Sequence, residues 1–141
     1  MGTRRGFALA ELLVVMVVMA ILLAVAVPRF GAIRDGAAVH SAVAEAARLF
    51  ATARELAVLR RAPVAVVIDA AAGALEIRSR GTTFIRRHLG KVYDVALGTN
   101  RDSMVYDPRG LGFGVSNLSL VIRRGRAADT IVVSRLGRTR W

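Results

Sequence analysis

The chain of 141 residues contains no cysteine. A disulfide framework, a thiolate nucleophile and a cysteine-ligated metal site are all excluded. Small domains working outside the cytoplasm often lean on disulfides, so this one must rely on its core or on assembly. Lysine is nearly missing too, since of 21 basic residues only Lys91 is a lysine. That preference accompanies abundant Ala, Val and Gly, reads as genome-wide codon bias, and marks no site by itself. Acids are scarce, 10 against 21 bases, giving a formal net charge of +11. Such an excess favours an anionic partner, either nucleic acid or lipid headgroups. The two histidines, His40 and His88, have no second ligand at a metal-binding spacing, so both read as solvated or satisfied side chains. No G-x-S-x-G elbow, H-E-x-x-H pair or P-loop occurs, and the glycine-rich PRGLGFG lacks the lysine and following helix of a phosphate loop. Asp102 and Asp107 form a conceivable carboxylate pair, but Asp107-Pro108 is also ordinary turn chemistry. The expectation is no enzymatic activity and no cofactor.

What the chain does have is a long apolar run. Residues 7–27 are apolar except for Glu11. As a helix they span about 30 Å, enough to cross a bilayer core. Arg4 and Arg5 precede the run, so the positive-inside rule places the N-terminus in the cytoplasm and the rest outside. Ala24-Val25-Ala26 has the form of a signal-peptidase site, but the run is longer than a usual signal core and carries a carboxylate near its start. Beyond Pro28 the helical period resumes. Val39, Val43, Ala46, Ala47, Phe50, Ala53 and Ala57 form an apolar stripe, with Arg34, Ser41, Glu45, Arg48, Thr52 and Glu55 on another face. The pattern predicts one helix of about 55 residues, kinked rather than ended at Pro28, reaching about Arg61 and closed by Pro63.

From Pro63 the period becomes that of strands. PVAVVID and ALEIRS flank AAAG as a hairpin; TTFIRRH, KVYDVAL and SMVYD follow; LSLVIRR and DTIVVSR flank GRAA as another. Roughly six or seven short strands with no helix between them predict an antiparallel sheet or small sandwich packed on the amphipathic half of the helix, an α+β fold. The organisation read from the chain is 1–6 leader, 7–27 membrane-spanning half-helix, 28–62 amphipathic half-helix and 63–141 β-rich domain with a basic tail.

The stretch RRGFALAELLVVMVVMAILLAVAVP resembles the N-terminus of type IV prepilins and the pseudopilins of type II secretion. The resemblance rests on the Gly6-Phe7 junction, Glu11 five residues into the mature chain, the apolar helix and the proline at its far end. It implies that a prepilin peptidase cuts between Gly6 and Phe7 and that Phe7 becomes N-methylated. It also implies a subunit that waits in the bacterial inner membrane and then joins other pilin or pseudopilin subunits in a periplasmic or extracellular filament. Glu11 has an independent physical reading. A carboxylate near the bilayer is costly unless neutralised, and the amine that cleavage frees on Phe7, in the same chain or a neighbour, can neutralise it. In a bundle of apolar helices that pairing would set axial register, as one buried polar group does in a coiled coil.

The long helix followed by a cysteine-free β domain resembles the GspH/FimT group of minor pilins and pseudopilins. Residues 109–141 carry seven arginines against one acid, Asp129. Arg123, Arg124 and Arg126 cluster at a hairpin loop, and Arg135, Arg138 and Arg140 crowd the end, SRLGRTRW. Gly137 allows a turn after the last strand, and Arg138 and Arg140 project to one side if the tail is extended. Guanidinium groups engage phosphates through directional bonds, and Trp141 offers a face for a base. Gly137, Arg138 and Arg140 also match a G-R-x-R pattern of FimT-type minor pilins, which implies binding of double-stranded DNA through its phosphates during natural transformation. The competing reading is a GspH-like structural subunit near the tip of a type II secretion pseudopilus, with no DNA binding.

Overall fold

The computed structural model describes residues 9–113 and 117–141, so the expected processing residues Gly6 and Phe7 lie outside the described residues. The chain divides into two units, Met1–Arg34 and Asp35–Trp141. One helix, α1 (Leu9–Arg60), begins in the first and ends in the second, with Glu11 in its first turn and Pro28 inside it. Pro28 does not end the helix, as expected where periodic sequence continues on both sides.

In the first unit the helix is long and apolar enough to cross a membrane. Its large apolar side chains face outward on every side, from Leu9 to Ile33, none of those exposed falling below the 49% of Val18. A helix apolar all round cannot be stable in water; it is made for lipid or for other apolar helices.

In the second unit, α1 buries Val39, Ala42, Val43, Ala46, Ala47, Leu49, Phe50, Ala53 and Ala57. The whole predicted stripe is there, widened by Ala42 and Leu49. Five of the nine are alanine, and Phe50, fully buried, is the largest side chain on that face. The helix ends in a Schellman motif. Ala62 N–H donates to Ala57 O and Arg61 N–H to Val58 O, both at 3.3 Å, with Arg61 left-handed at φ 48° and Pro63 barring continuation.

The β layer contains two antiparallel sheets. The first has order β3 (Thr82–His88), β2 (Ala74–Ser79), β1 (Val64–Asp69), β5 (Ser103–Tyr106), β6 (Gly112–Phe113), and the second β4 (Ala96–Thr99), β7 (Leu118–Arg124), β8 (Ala127–Val133), β9 (Thr139–Arg140). Strands β1 (Val64–Asp69) and β2 (Ala74–Ser79) form the expected hairpin over AAAG, Asp69 pairing with Ala74. The alternation of β1 turns Val64, Val66 and Ile68 inward. Strand β3 (Thr82–His88) is the edge, and Arg60 at the helix end lies 4.1 Å over the ring of its Phe84. Glu76 on β2, only 5% exposed, is held by Arg78 and by Arg86 Nε at 3.0 Å, so this buried acid is paired.

The expectation of no helix among the strands is corrected. KVYDVAL does not form one strand: Leu89–Tyr93 is a short helix, α2, ended by left-handed Asp94 at φ 54°, and only Ala96–Thr99 becomes strand β4. The chain must leave the edge of one sheet here and enter the other, and α2 makes that crossing with Leu89 buried beneath it. Strand β5 (Ser103–Tyr106) and the two-residue β6 (Gly112–Phe113) complete the first sheet. Strands β7 (Leu118–Arg124) and β8 (Ala127–Val133) form the second expected hairpin, with Ala127 and Ala128 of GRAA already in strand. Strand β9 (Thr139–Arg140) closes the second sheet.

Candidate nucleic-acid interface

The C-terminal SRLGRTR is a folded hairpin rather than an extended tail. Val133 ends β8, Gly137 N–H donates to Ser134 O and Ser134 N–H to Arg138 O, each at 2.8 Å. Arg138 N–H also donates to Ser134 Oγ at 3.2 Å. Gly137, at φ 73°, reverses the chain so that Thr139 and Arg140 pair with Val133 and Val132. The turn expected at Gly137 is present, and its demand for glycine is double. The backbone is left-handed, and a Cβ there would stand 2.7 Å from Gly110 O and 3.2 Å from Tyr106 Cε1.

This hairpin lies beside the last turns of α1. Arg54 Nε is 3.6 Å from where a Cβ on Gly137 would be. Between them runs a groove of about 690 Å³ bounded by Arg54, Glu55, Val58 and Leu59 of α1 and by Arg138 and Arg140 of the hairpin. Three guanidinium groups thus border one opening with a single carboxylate. Among the described residues, none of the three is ion-paired. Trp141 is 60% exposed.

The six expected C-terminal arginines fall into two groups. Arg135, Arg138 and Arg140 are together and exposed. Arg123, Arg124 and Arg126 surround the β7–β8 turn, the far end of β8, about 20 Å away along the strand. Arg124 is occupied: it pairs with Asp35 Oδ1 at 3.0 Å and Asp94 Oδ2 at 3.3 Å, and donates to Tyr93 O at 2.8 Å. It ties α1 and the end of α2 to the second sheet. Arg123 and Arg126 remain exposed at that end.

Sequence reasoning missed Arg54, Val58 and Leu59. Nothing local marks them, because only the return of a strand some eighty residues later gives that helix face a neighbour. Of the other candidates, His88 departs from the expected satisfied side chain, since its Nδ1 is buried with no partner among the described residues. Asp107 Oδ1 accepts from Arg109 and Leu111 N–H at 2.9 and 2.8 Å, so it caps the PRGLGFG turn. His40 is exposed, and no group of metal-ligating side chains occurs among the described residues.

Beneath the hairpin Tyr106 is fully buried, and its hydroxyl has no partner among the described residues. Burial pushes its pKa up from 10.0 to about 12, against the opposing pull of the Arg54 guanidinium. The fold therefore favours the neutral phenol. Its contribution is complete below pH 10, the unfolded value, and is lost as pH rises toward 12, on the order of 2–3 kcal/mol in all. Tyr106→Phe is expected to melt at the same temperature or slightly higher at pH 8, since it removes an unsatisfied hydroxyl. Between pH 10 and 12 it should lose less stability than the parent. Parallel losses in paired melts across that range would show that Tyr106 does not titrate with unfolding.

The family model for the type II transport protein GspH matches residues 42–137, and the prokaryotic N-terminal methylation motif matches residues 1–27. Two crystal forms of the type IV minor pilin FimU of Pseudomonas aeruginosa have similar folds. One superimposes with a TM-score of 0.61 at 15% identity over 72% of this chain and 86% of that one. The other gives 0.59 at 14% identity over 72% and 90%. No curated protein matches the chain.

Proposed function

The chain belongs to the family of the type II transport protein GspH, within the type IV pilin and pseudopilin superfamily, and on that premise we propose that it is a minor type IV pilin binding DNA through its C-terminal hairpin. Its N-terminal motif implies processing by prepilin peptidase and assembly with other subunits, and the apolar helix fits a membrane anchor. In our reading the cut falls between Gly6 and Phe7, Phe7 is methylated, and the remainder lies outside the inner membrane, because Arg4 and Arg5 hold the leader in the cytoplasm. Glu11 and the new amine then align the helix among its neighbours.

The observation carrying the DNA reading is the exposed pair Arg138 and Arg140 on a hairpin that Gly137 holds against Arg54. Guanidinium groups not ion-paired among the described residues, on a chain of formal charge +11, attract phosphates at long range and engage them at short range. Among the described residues no helix is placed to enter a groove and read bases, so duplex recognition is through the backbone and independent of sequence. Arg123 and Arg126, at the far end of β8, provide a second contact along a longer duplex.

The test uses the full chain in non-ionic detergent with a labelled duplex, followed by anisotropy at two salt concentrations. Arg138→Gln with Arg140→Gln should weaken binding about 10- to 100-fold at low salt and flatten the log–log salt slope by about 2. Equal affinity and slope would transfer the assignment to the second reading, a GspH-like structural subunit of a type II secretion pseudopilus. The family match favours that reading as much as the first.

A further inference from the structure

We propose that the groove between the last turns of α1 and the C-terminal hairpin holds unpaired nucleotides, so that the chain binds single-stranded DNA more tightly than duplex. This inference rests on the DNA-binding reading and sharpens its ligand. A flat cluster of arginines would suit a duplex and a single strand alike, since both present phosphates. Here the arginines border a cleft instead. Arg138 and Arg140 line it from the hairpin, and Arg54, Val58 and Leu59 line it from α1, the last two as apolar wall. Leu59 is 79% and Val58 47% exposed, a cost in water that an occupant would relieve. The volume, about 690 Å³, falls in the range of about 300–1,000 Å³ that encloses ligands of nucleotide size.

A duplex keeps its bases stacked and paired, so only its phosphates could reach the arginines. A single strand can turn a base inward against Val58 and Leu59 while its flanking phosphates meet the three guanidinium groups. Glu55 points the same way. A carboxylate beside three arginines repels a continuous rail of phosphates, yet it accepts hydrogen bonds from the amino and imino groups of a Watson–Crick edge, which are free only in an unpaired base. Trp141, next in the chain after Arg140 and 60% exposed, offers an aromatic face for the neighbouring base. Arginines, an apolar wall, one acceptor and one aromatic ring are the parts of a single-strand site.

Trp141, next to the groove-lining Arg140, is the sole tryptophan, so intrinsic fluorescence reports on binding beside the groove. The full chain in non-ionic detergent is titrated with a 20-nucleotide single strand and with the duplex of the same sequence at equal salt. The expected result is at least tenfold tighter binding of the single strand, with quenching of Trp141 that the duplex does not produce. Leu59→Ser, at an exposed position, should weaken single-strand binding about tenfold and leave duplex binding unchanged. Glu55→Gln should tighten duplex binding and so narrow the difference. Equal binding of the two forms, or a Leu59→Ser variant that treats both alike, overturns the groove as a single-strand site while leaving DNA binding in place. Binding of neither form overturns the DNA reading itself.

Discussion

Glu11→Ala is expected to yield a chain that inserts in the membrane and loses its leader normally, yet is at least tenfold depleted from sheared filaments. Removing the carboxylate makes the run from residue 7 to residue 27 uniformly apolar, which eases insertion. The junction proposed at Gly6 and Phe7 is untouched, so cleavage is expected to proceed. What disappears is the one polar feature that distinguishes one axial position from another. A smooth apolar helix packs against its neighbours about equally well at several offsets, because lipid and leucine are equally good surroundings. In the proposed pairing, the Glu11 carboxylate meets the freed amine at one offset and penalises the rest. Glu11→Asp retains the charge one methylene back and should recover part of the incorporation. The measurement is an immunoblot of membrane and sheared fractions, with a size shift to follow cleavage. Normal filament levels of the alanine variant would show that register is set elsewhere, and a block in cleavage would assign Glu11 to processing.

The N-terminal half of this molecule was legible because its physics is one-dimensional. An apolar run, a proline and a helical stripe are properties of consecutive residues, and all seven predicted stripe residues from Val39 to Ala57 are buried. Strands with clear alternation, such as Val64–Asp69 and Leu118–Arg124, were equally visible. The errors fall where local pattern and tertiary demand part. In KVYD the adjacent valine and tyrosine favour strand, but the chain there must pass from one sheet to the other, and a turn of helix is the shorter route. Strand β9 was invisible because two residues carry no period. The candidate site divides likewise. Arg138 and Arg140 announced themselves by composition, whereas Arg54 became part of the site only through the close approach at Gly137. Arg124 shows the reverse: composition grouped it with the free cations, and two carboxylates distant in sequence, Asp35 and Asp94, have taken its charge.

Gly137→Val is expected to lower stability by about 3 kcal/mol and to abolish most DNA binding, although it removes no charge. Two costs add. A β-branched residue resists the left-handed backbone that Gly137 adopts at φ 73°, a penalty of about 1–2 kcal/mol. Its Cβ would also stand 2.7 Å from Gly110 O, and that carbonyl has little room to yield. Gly110 N–H is bonded to Asp107 O at 2.9 Å, and the same turn is capped by Asp107 Oδ1. The hairpin must therefore lift, breaking the pairing of Thr139 and Arg140 with β8 and parting Arg138 and Arg140 from Arg54. Gly137→Asn separates the two costs, since asparagine tolerates the left-handed region but still brings a Cβ. It should remain well below the parent if the contact with Gly110 dominates, and approach it if the backbone does. Thermal melts and DNA titrations of both variants, beside the Arg138→Gln, Arg140→Gln pair, then distinguish a built site from a basic tail. Loss of binding without loss of charge requires the hairpin geometry. Retained binding in a destabilised Gly137→Val chain would mean that the arginines act as a flexible cationic segment, for which the groove against α1 is irrelevant.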